Sequence, residues 1–330
     1  MAQSQRNSLD FETPIIELEA KIEELRNFSM TTQVDLSDQI EKLIERCNEK
    51  KKAIFSKLTP WQRVLTARHP RRPLTSDYVQ FMVDDFVEIY GDRTFRDDPS
   101  ILTGFGKIGG LRVLVVGHRK GKDTAEKLAC YFGCSHPEGY RKALLKMKLA
   151  EKFGVPIVTL INTPGAYPGV GAEERGQAFI IAKNLMEMAR LRVPVVCAVI
   201  GEGGSGGALA IGVGNRILML EHSYYSVISP EGCAAILWKS SDFREKAAEI
   251  LKLTAEDLRG FGIVDEIVPE PLGGAHREPL RAGAALKEAI VRNLRELSNM
   301  TGEELVDDRY SKLKRMGVYR EQAAPELAHV

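Results

Sequence analysis

Two short stretches, Val155-Pro156-Ile157-Val158 and Val193-Pro194-Val195-Val196, begin alike and stand 38 residues apart. Each opens an apolar run of strand length, and each is followed by a glycine-rich loop and a helical pattern. An earlier apolar run, at Val113, precedes the first of them by 42 residues. A period of this size means stacked supersecondary units. Here the unit reads as strand, glycine turn, helix, which makes the chain α/β.

The flanks of the repeat have other patterns. Thr13 and Pro14 read as a helix start, and Ile15, Leu18, Ile22 and Leu25 form an apolar stripe behind them. A second stripe runs through Leu36, Ile40, Leu43, Cys47, Ile54 and Leu58, so the two suggest a helical hairpin that packs on the core or docks another chain. Thr59-Pro60-Trp61-Gln62 spells a capping box. The spacing of Val79, Met82, Val83, Phe86 and Ile89 predicts a helix that stops at Gly91. A hairpin is expected from Ile101–Ile108, the Gly109-Gly110 turn and Arg112–Val116. Helices are expected over Glu138–Phe153 and Glu173–Arg190. The stripe Leu286, Ile290, Leu294, Leu297 predicts an amphipathic tail whose last residues fray.

Composition removes several classes of function. A net charge of +1 lacks the basic excess of a non-specific nucleic-acid binder. No apolar run follows the initial Met-Ala-Gln-Ser-Gln-Arg, and none elsewhere is long enough to span a membrane. The five scattered cysteines fit a reducing compartment, and cytoplasm is the expected location. Cys130, Cys134 and His136 approach zinc spacing but lack a fourth ligand, so no metal is expected in this chain.

The densest signal is Gly201–Ala210, with five glycines among the first seven positions. Lying between a strand and a helix, it offers backbone N–H groups to negative charge. Gly201, Gly203 and Gly206, with Glu221 behind them, match a dinucleotide fingerprint, but too late in the chain. Gly203-Gly204-Ser205-Gly206-Gly207 matches a nucleophile elbow, for which Asp265 and His276 stand in the right order. That serine-hydrolase reading leaves the loop at 163–176 unused. An oxyanion hole made by the N–H groups of Gly206 and Gly207 uses both loops. Close packing of small residues alone explains Ala208, Ala210 and Gly212, but not five glycines.

Asn162–Gly176, Gly201–Gly214, Tyr225–Cys233 and Pro269–Arg277 closely resemble the α subunit of bacterial acetyl-CoA carboxylase carboxyltransferase. The resemblance covers nearly the whole chain and is most specific from Gly117 to Arg277. It implies a crotonase-like fold of the ClpP/crotonase type, a spiral of ββα units with an N-terminal helical extension and C-terminal helices. The implied divisions are 1–38 as N-terminal helix and turn, 39–293 as the carboxyltransferase domain (helical over 39–90, core over 91–293), and 294–330 as a helical tail. The implied reaction moves a carboxyl group from carboxybiotin, on a carrier protein, to acetyl-CoA, giving malonyl-CoA for fatty acid synthesis. Gly206 and Gly207 match the biotin-side oxyanion residues, and Gly165, Ala166, Tyr167, Pro168 and Gly169 the biotin-side loop. His118, Arg119, Lys120 and Lys122 form a basic turn after a strand, which is either a solvated charge run or a face for the CoA phosphates, with Arg119, Lys120 and Lys122 as the candidate contacts. The implied partners are a β subunit in an α2β2 complex, the biotin carboxyl carrier protein and biotin carboxylase. No cofactor is permanently bound by this chain, and zinc is expected only in the β subunit.

Overall fold

The computed structural model describes residues 9–317. The expectations about the first residues and the fraying end therefore lie, for 1–8 and 318–330, outside the described part. One sheet organises the molecule. Its strands are β1 (Val83–Glu88), β2 (Ile101–Ile108), β3 (Leu111–His118), β4 (Ile157–Thr163), β5 (Val195–Gly204), β6 (Arg216–Leu220), β7 (Tyr224–Ser226) and β8 (Glu266–Val268). The order is β1-β2-β3-β4-β5-β6-β8, with β7 added beside β5. The first two pairings are antiparallel; from β3 onward all are parallel.

The repeated Val-Pro pair has a physical role in this sheet. Proline lacks an N–H, so it fits where a strand begins and its carbonyl alone is used. Pro156 O accepts from Leu114 N–H at 2.9 Å, and Pro194 O accepts from Ile157 N–H at 2.8 Å. Each pair thus starts the next parallel strand in the same register. Side chains then alternate between two cores. Leu114, Val116, Ile157, Ile161, Val195 and Val199 face the layer built by the helices Pro137–Lys152 and Gln177–Ala189. Val113, Val115, Val158, Leu160, Val196 and Ala198 face the helices Thr75–Met82 and Pro279–Leu297. Burial on both faces is why these strands are nearly uniformly apolar.

Several elements differ from the sequence expectation. The helix foreseen over 79–89 ends at Met82, and Val83–Glu88 is the edge strand β1, so the span 39–90 is not wholly helical. A bulge explains the misleading spacing. The register of β1 against β2 shifts between Asp84 and Val87, and Asp85 has φ +53°. One extra residue lets Val83 and Phe86, three apart, pack on the same core. The helix foreseen over 173–190 is two helices, Val170–Glu174 and Gln177–Ala189, parted at Gly176 with φ +82°. Thr13 is the first helical residue rather than the cap. The boundaries at 38/39 and 293/294 fall inside the helices Ser37–Phe55 and Pro279–Leu297.

The capping box at Thr59 is present: Gln62 N–H donates to Thr59 Oγ1 and Thr59 N–H to Gln62 Oε1. The N-terminal helices form a hairpin with its own apolar seam of Ile15, Ile22, Cys47 and Phe55. Arg277 ties it to the core by ion pairs to Glu12 at 3.0 Å and Glu19 at 2.6 Å. The helix Gly302–Arg315 is clamped through Arg309, whose side chain is fully buried. Arg309 donates to the carbonyls of Met188, Ala189, Leu191 and Val193 and to Asn215 Oδ1. These are largely the orphan carbonyls that end the helix Gln177–Ala189.

Candidate active site

The two glycine-rich loops follow β4 and β5, which are adjacent and parallel, so both emerge at one edge of the sheet. They touch through missing side chains. A Cβ on Gly204 would lie 2.1 Å from Pro164 O, and one on Gly207 would lie 2.5 Å from Ala166 N. Neither glycine is needed for a left-handed backbone; both are needed for this approach. Gly206 differs, because a Cβ there would meet only Ile181, at 3.7 Å, an ordinary contact. The left-handed residue of the turn is Ser205, with φ +52°.

Gly206 and Gly207 lie in the first turn of the five-residue helix Ser205–Leu209. Amides at that place have no partner within the helix itself. Gly206 lines an apolar cavity of about 730 Å³, with Leu209, Tyr225, Val227, Phe261 and Leu313 among its walls. The site therefore places helix-start amides beside a largely apolar hollow.

The other loop is equally fixed. Thr163 Oγ1 accepts from Gly165 N–H at 3.0 Å and donates to the backbone. Tyr167 N–H donates to Ser135 O, and its ring stacks on His136 at 4.1 Å. His136, considered as a metal ligand with Cys130 and Cys134, is thus an aromatic support for the loop. Among the described residues those three form no ligand cluster.

His118 was read from sequence as part of a basic turn. Instead it is the last residue of β3, fully buried, on the same face as Leu114 and Val116. Its Nε2 lies 3.2 Å from Gly207 O, and its Nδ1 accepts from Asn162 N–H at 3.4 Å. Burial pushes its pKa down to about 3, against the opposing pull of the Gly207 carbonyl. The alternation of β3 was the signal for this, and the adjacent Arg119 and Lys120 hid it.

Glu202 precedes the turn and anchors it. Its carboxylate takes Arg68 Nε at 2.7 Å, Tyr224 Oη at 2.7 Å and Lys120 Nζ, while Glu202 N–H donates to Asn162 Oδ1. Burial alone would raise the Glu202 pKa, but Lys120 and Arg68 beside it hold it down, at about 2. Of the other basic candidates, Arg119 pairs with Glu88 at 2.9 Å and Lys122 with Asp77 at 2.5 Å. Lys120 and Lys122 line a second cavity, of about 580 Å³, together with Arg68, Arg71 and Lys127; Arg119 is not in its wall.

The hydrolase constellation does not assemble. Asp265 is engaged by Ile217 N–H and Lys312, and His276 by Glu12 Oε1 at 3.0 Å. Glu12, His69 and His276 bring three potential ligand atoms within 4.8 Å. The chemistry opposes a metal there. His69 Nδ1 accepts from Arg71 N–H, which leaves the proton on the Nε2 that faces Glu12, and Arg277 already neutralises that carboxylate.

Comparison with known proteins gives the family and the fold. Residues 8–317 match the family model described as acetyl co-enzyme A carboxylase carboxyltransferase-like. The acetyl-coenzyme A carboxylase carboxyl transferase subunit alpha of Methylococcus capsulatus is 56% identical over 315 residues, 96% of this chain and 98% of that one. The subunit of the same name from Geobacillus kaustophilus is 56% identical over 309 residues, 94% of this chain and 95% of its own. Among solved structures, a transcarboxylase 12S chain matches with TM-score 0.55 at 18% identity, covering 77% of this chain and 43% of that chain. A chain of a Pseudomonas malonate decarboxylase hetero-tetramer, solved with coenzyme A, matches with TM-score 0.54 at 15% identity, covering 66% and 86%. At these identities the solved structures speak to the fold, which is crotonase-like.

Proposed function

The chain belongs to the acetyl-CoA carboxylase carboxyltransferase α-subunit family, and from that premise we propose that Gly206 and Gly207 are its oxyanion residues. The protein is a biotin-dependent carboxyltransferase subunit. In the proposed reaction carboxybiotin arrives on its carrier protein and gives its carboxyl group to acetyl-CoA. Negative charge grows on the ureido oxygen of biotin as that group leaves. The amides of Gly206 and Gly207 stabilise it, with little reorganisation because the turn is already held. The anionic biotin then takes a proton from the acetyl methyl, so no side-chain base is needed. Gly165, Ala166, Tyr167, Pro168 and Gly169 form the wall facing the turn and hold the biotin ring.

The observation that carries this reading is the contact of the two glycine loops at the start of a helix, beside an apolar hollow. The β subunit brings acetyl-CoA from the other side, and the assembly is α2β2. The carrier protein and biotin carboxylase complete the enzyme, and zinc belongs to the β subunit. Cytoplasm is the proposed location; among the described residues no helix is long and apolar enough to cross a membrane. For the CoA phosphates, Lys120 and Lys122 remain the candidates on this chain, in a cavity where Arg71 and Lys127 add positive charge. Arg119 would have to leave Glu88 to join them.

The test is reconstitution. The isolated chain makes no malonyl-CoA, and addition of the β subunit with carboxylated carrier restores turnover. Ser205→Ala retains that turnover, and fluorophosphonates leave the wild-type chain unlabelled. Robust transfer by the chain alone, or labelling at Ser205, overturns the reading.

A further inference from the structure

The carbonyl of Gly207 lacks its helical partner. In a continuing α-helix it would accept from the amide four residues on. That amide, Ile211 N–H, goes to Ala208 O at 3.4 Å, and Ala210 N–H goes to Gly206 O at 2.9 Å. The helix ends at Leu209, so the amide of Ile211 turns away from Gly207 O. His118, from the end of β3, supplies the missing donor at 3.2 Å.

The ring can do this in one form only. Asn162 N–H can only donate, and it reaches Nδ1, so the proton of the neutral ring stands on Nε2 and is given to Gly207 O. A second proton would face the Asn162 amide inside a fully buried pocket. The Leu160 backbone also reaches the ring, on the side of the Asn162 amide, while Tyr140 meets it edge-on at 6.5 Å and Lys120 is held by Glu202. Two successive glycines rotate more freely than any other pair, so their amides stay aimed only if something outside the turn holds them. Gly204 and Gly207 are pressed from one side by the loop after β4. His118 holds the other side.

We propose that His118 is a positioning residue for carboxyl transfer: as a permanently neutral donor to Gly207 O, it fixes the turn whose amides receive the anion. The inference rests on the oxyanion assignment of Gly206 and Gly207. It excludes acid–base work by this histidine.

The experiment uses the α/β complex with carboxylated carrier and two variants. His118→Leu removes the donor at similar bulk; His118→Gln keeps an N–H of comparable reach. The expected loss for Leu is about 100-fold in kcat, the order seen when a reacting group is misplaced by an ångström, with KM for the carrier changed less than about threefold. Glutamine recovers at least a tenth of wild-type kcat, and the pH–rate profile keeps its shape in both. Near-normal kcat in a folded His118→Leu complex overturns the proposal, as does a glutamine variant no better than leucine. Nitrogen NMR of the histidine-labelled wild-type chain covers the case in which both variants misfold. It should find His118 with its proton on Nε2 from pH 5 to 8, and titration in that range, or a proton on Nδ1, overturns the assignment. Gly206→Pro, run in parallel, tests the oxyanion reading itself: if it turns over normally, that reading falls whatever His118 does.

Discussion

At Gly206 the protein separates two things that glycine usually combines. Its φ is not left-handed and a Cβ there would make only an ordinary contact with Ile181, so under the proposed oxyanion role the residue type is dispensable while its N–H is not. Gly206→Ala is therefore expected to keep turnover within about threefold, because the amide remains. Gly206→Pro deletes the donor at a helix start, where proline is tolerated, and should lower kcat about 100-fold or more. Steady-state kinetics on the complex, with gel filtration to check assembly, compares them; equal rates would place the anion elsewhere. Gly207 is the opposite case. A methyl there meets backbone at 2.5 Å, so Gly207→Ala should force the two loops apart and lose stability as well as rate. Sequence alone marked both glycines as site residues. It could not tell these cases apart, since the difference lies in which loop stands across from each, nor could it reveal His118, whose function depends on a carbonyl 89 positions later.

The elements were legible where their pattern was long and uninterrupted. Both Val-Pro strands, the hairpin of β2 and β3 and the amphipathic helix Pro279–Leu297 stand where their periodicity put them. A bulge at Asp85 and a left-handed glycine at 176 defeated the same logic, because each inserts a discontinuity that residue spacing does not record. The helix Gly302–Arg315 is a further instance: the expected stripe ends at Leu297, in the helix before it, and nothing in the spacing marks Arg309 as an anchor. Arg309 is buried without a carboxylate against it, and burial lowers its pKa to about 10. Arg309→Met should cost about 3 kcal/mol, since several buried acceptors lose their donor together. Urea denaturation measures that cost, and hydrogen exchange should find the helix Gly302–Arg315 opening first. A loss under 1 kcal/mol would mean that water replaces the guanidinium at no cost.

For the whole molecule, the buried histidines and carboxylates held below their ordinary values act in one direction. His118 and His222 are pushed down by burial, so below about pH 6.5 the unfolded chain takes up protons more readily than the native state. Glu12, Glu202 and Glu270 are held at about 2 despite burial, by His276 and Arg277, by Lys120 and Arg68, and by Arg72 and His222 respectively. Their contribution is complete above the unfolded value near 4.5 and is lost as pH falls through 2. In every case the unfolded chain binds more protons, so stability falls with pH, by about 1.4 kcal/mol per unit for each extra proton. Urea midpoints should decline from pH 6.5 and more steeply below 4.5; a flat profile from pH 7 to 4 contradicts this. The turn at Gly206 and Gly207 also has a consequence for inhibition. A compound that offers an anion to those amides binds atoms that nineteen of the twenty amino acids supply alike. Proline, the one that does not, would disable the enzyme along with the inhibitor's foothold. Resistance by loss of a contact is then closed off at the centre of the site, and selection would have to work on the walls.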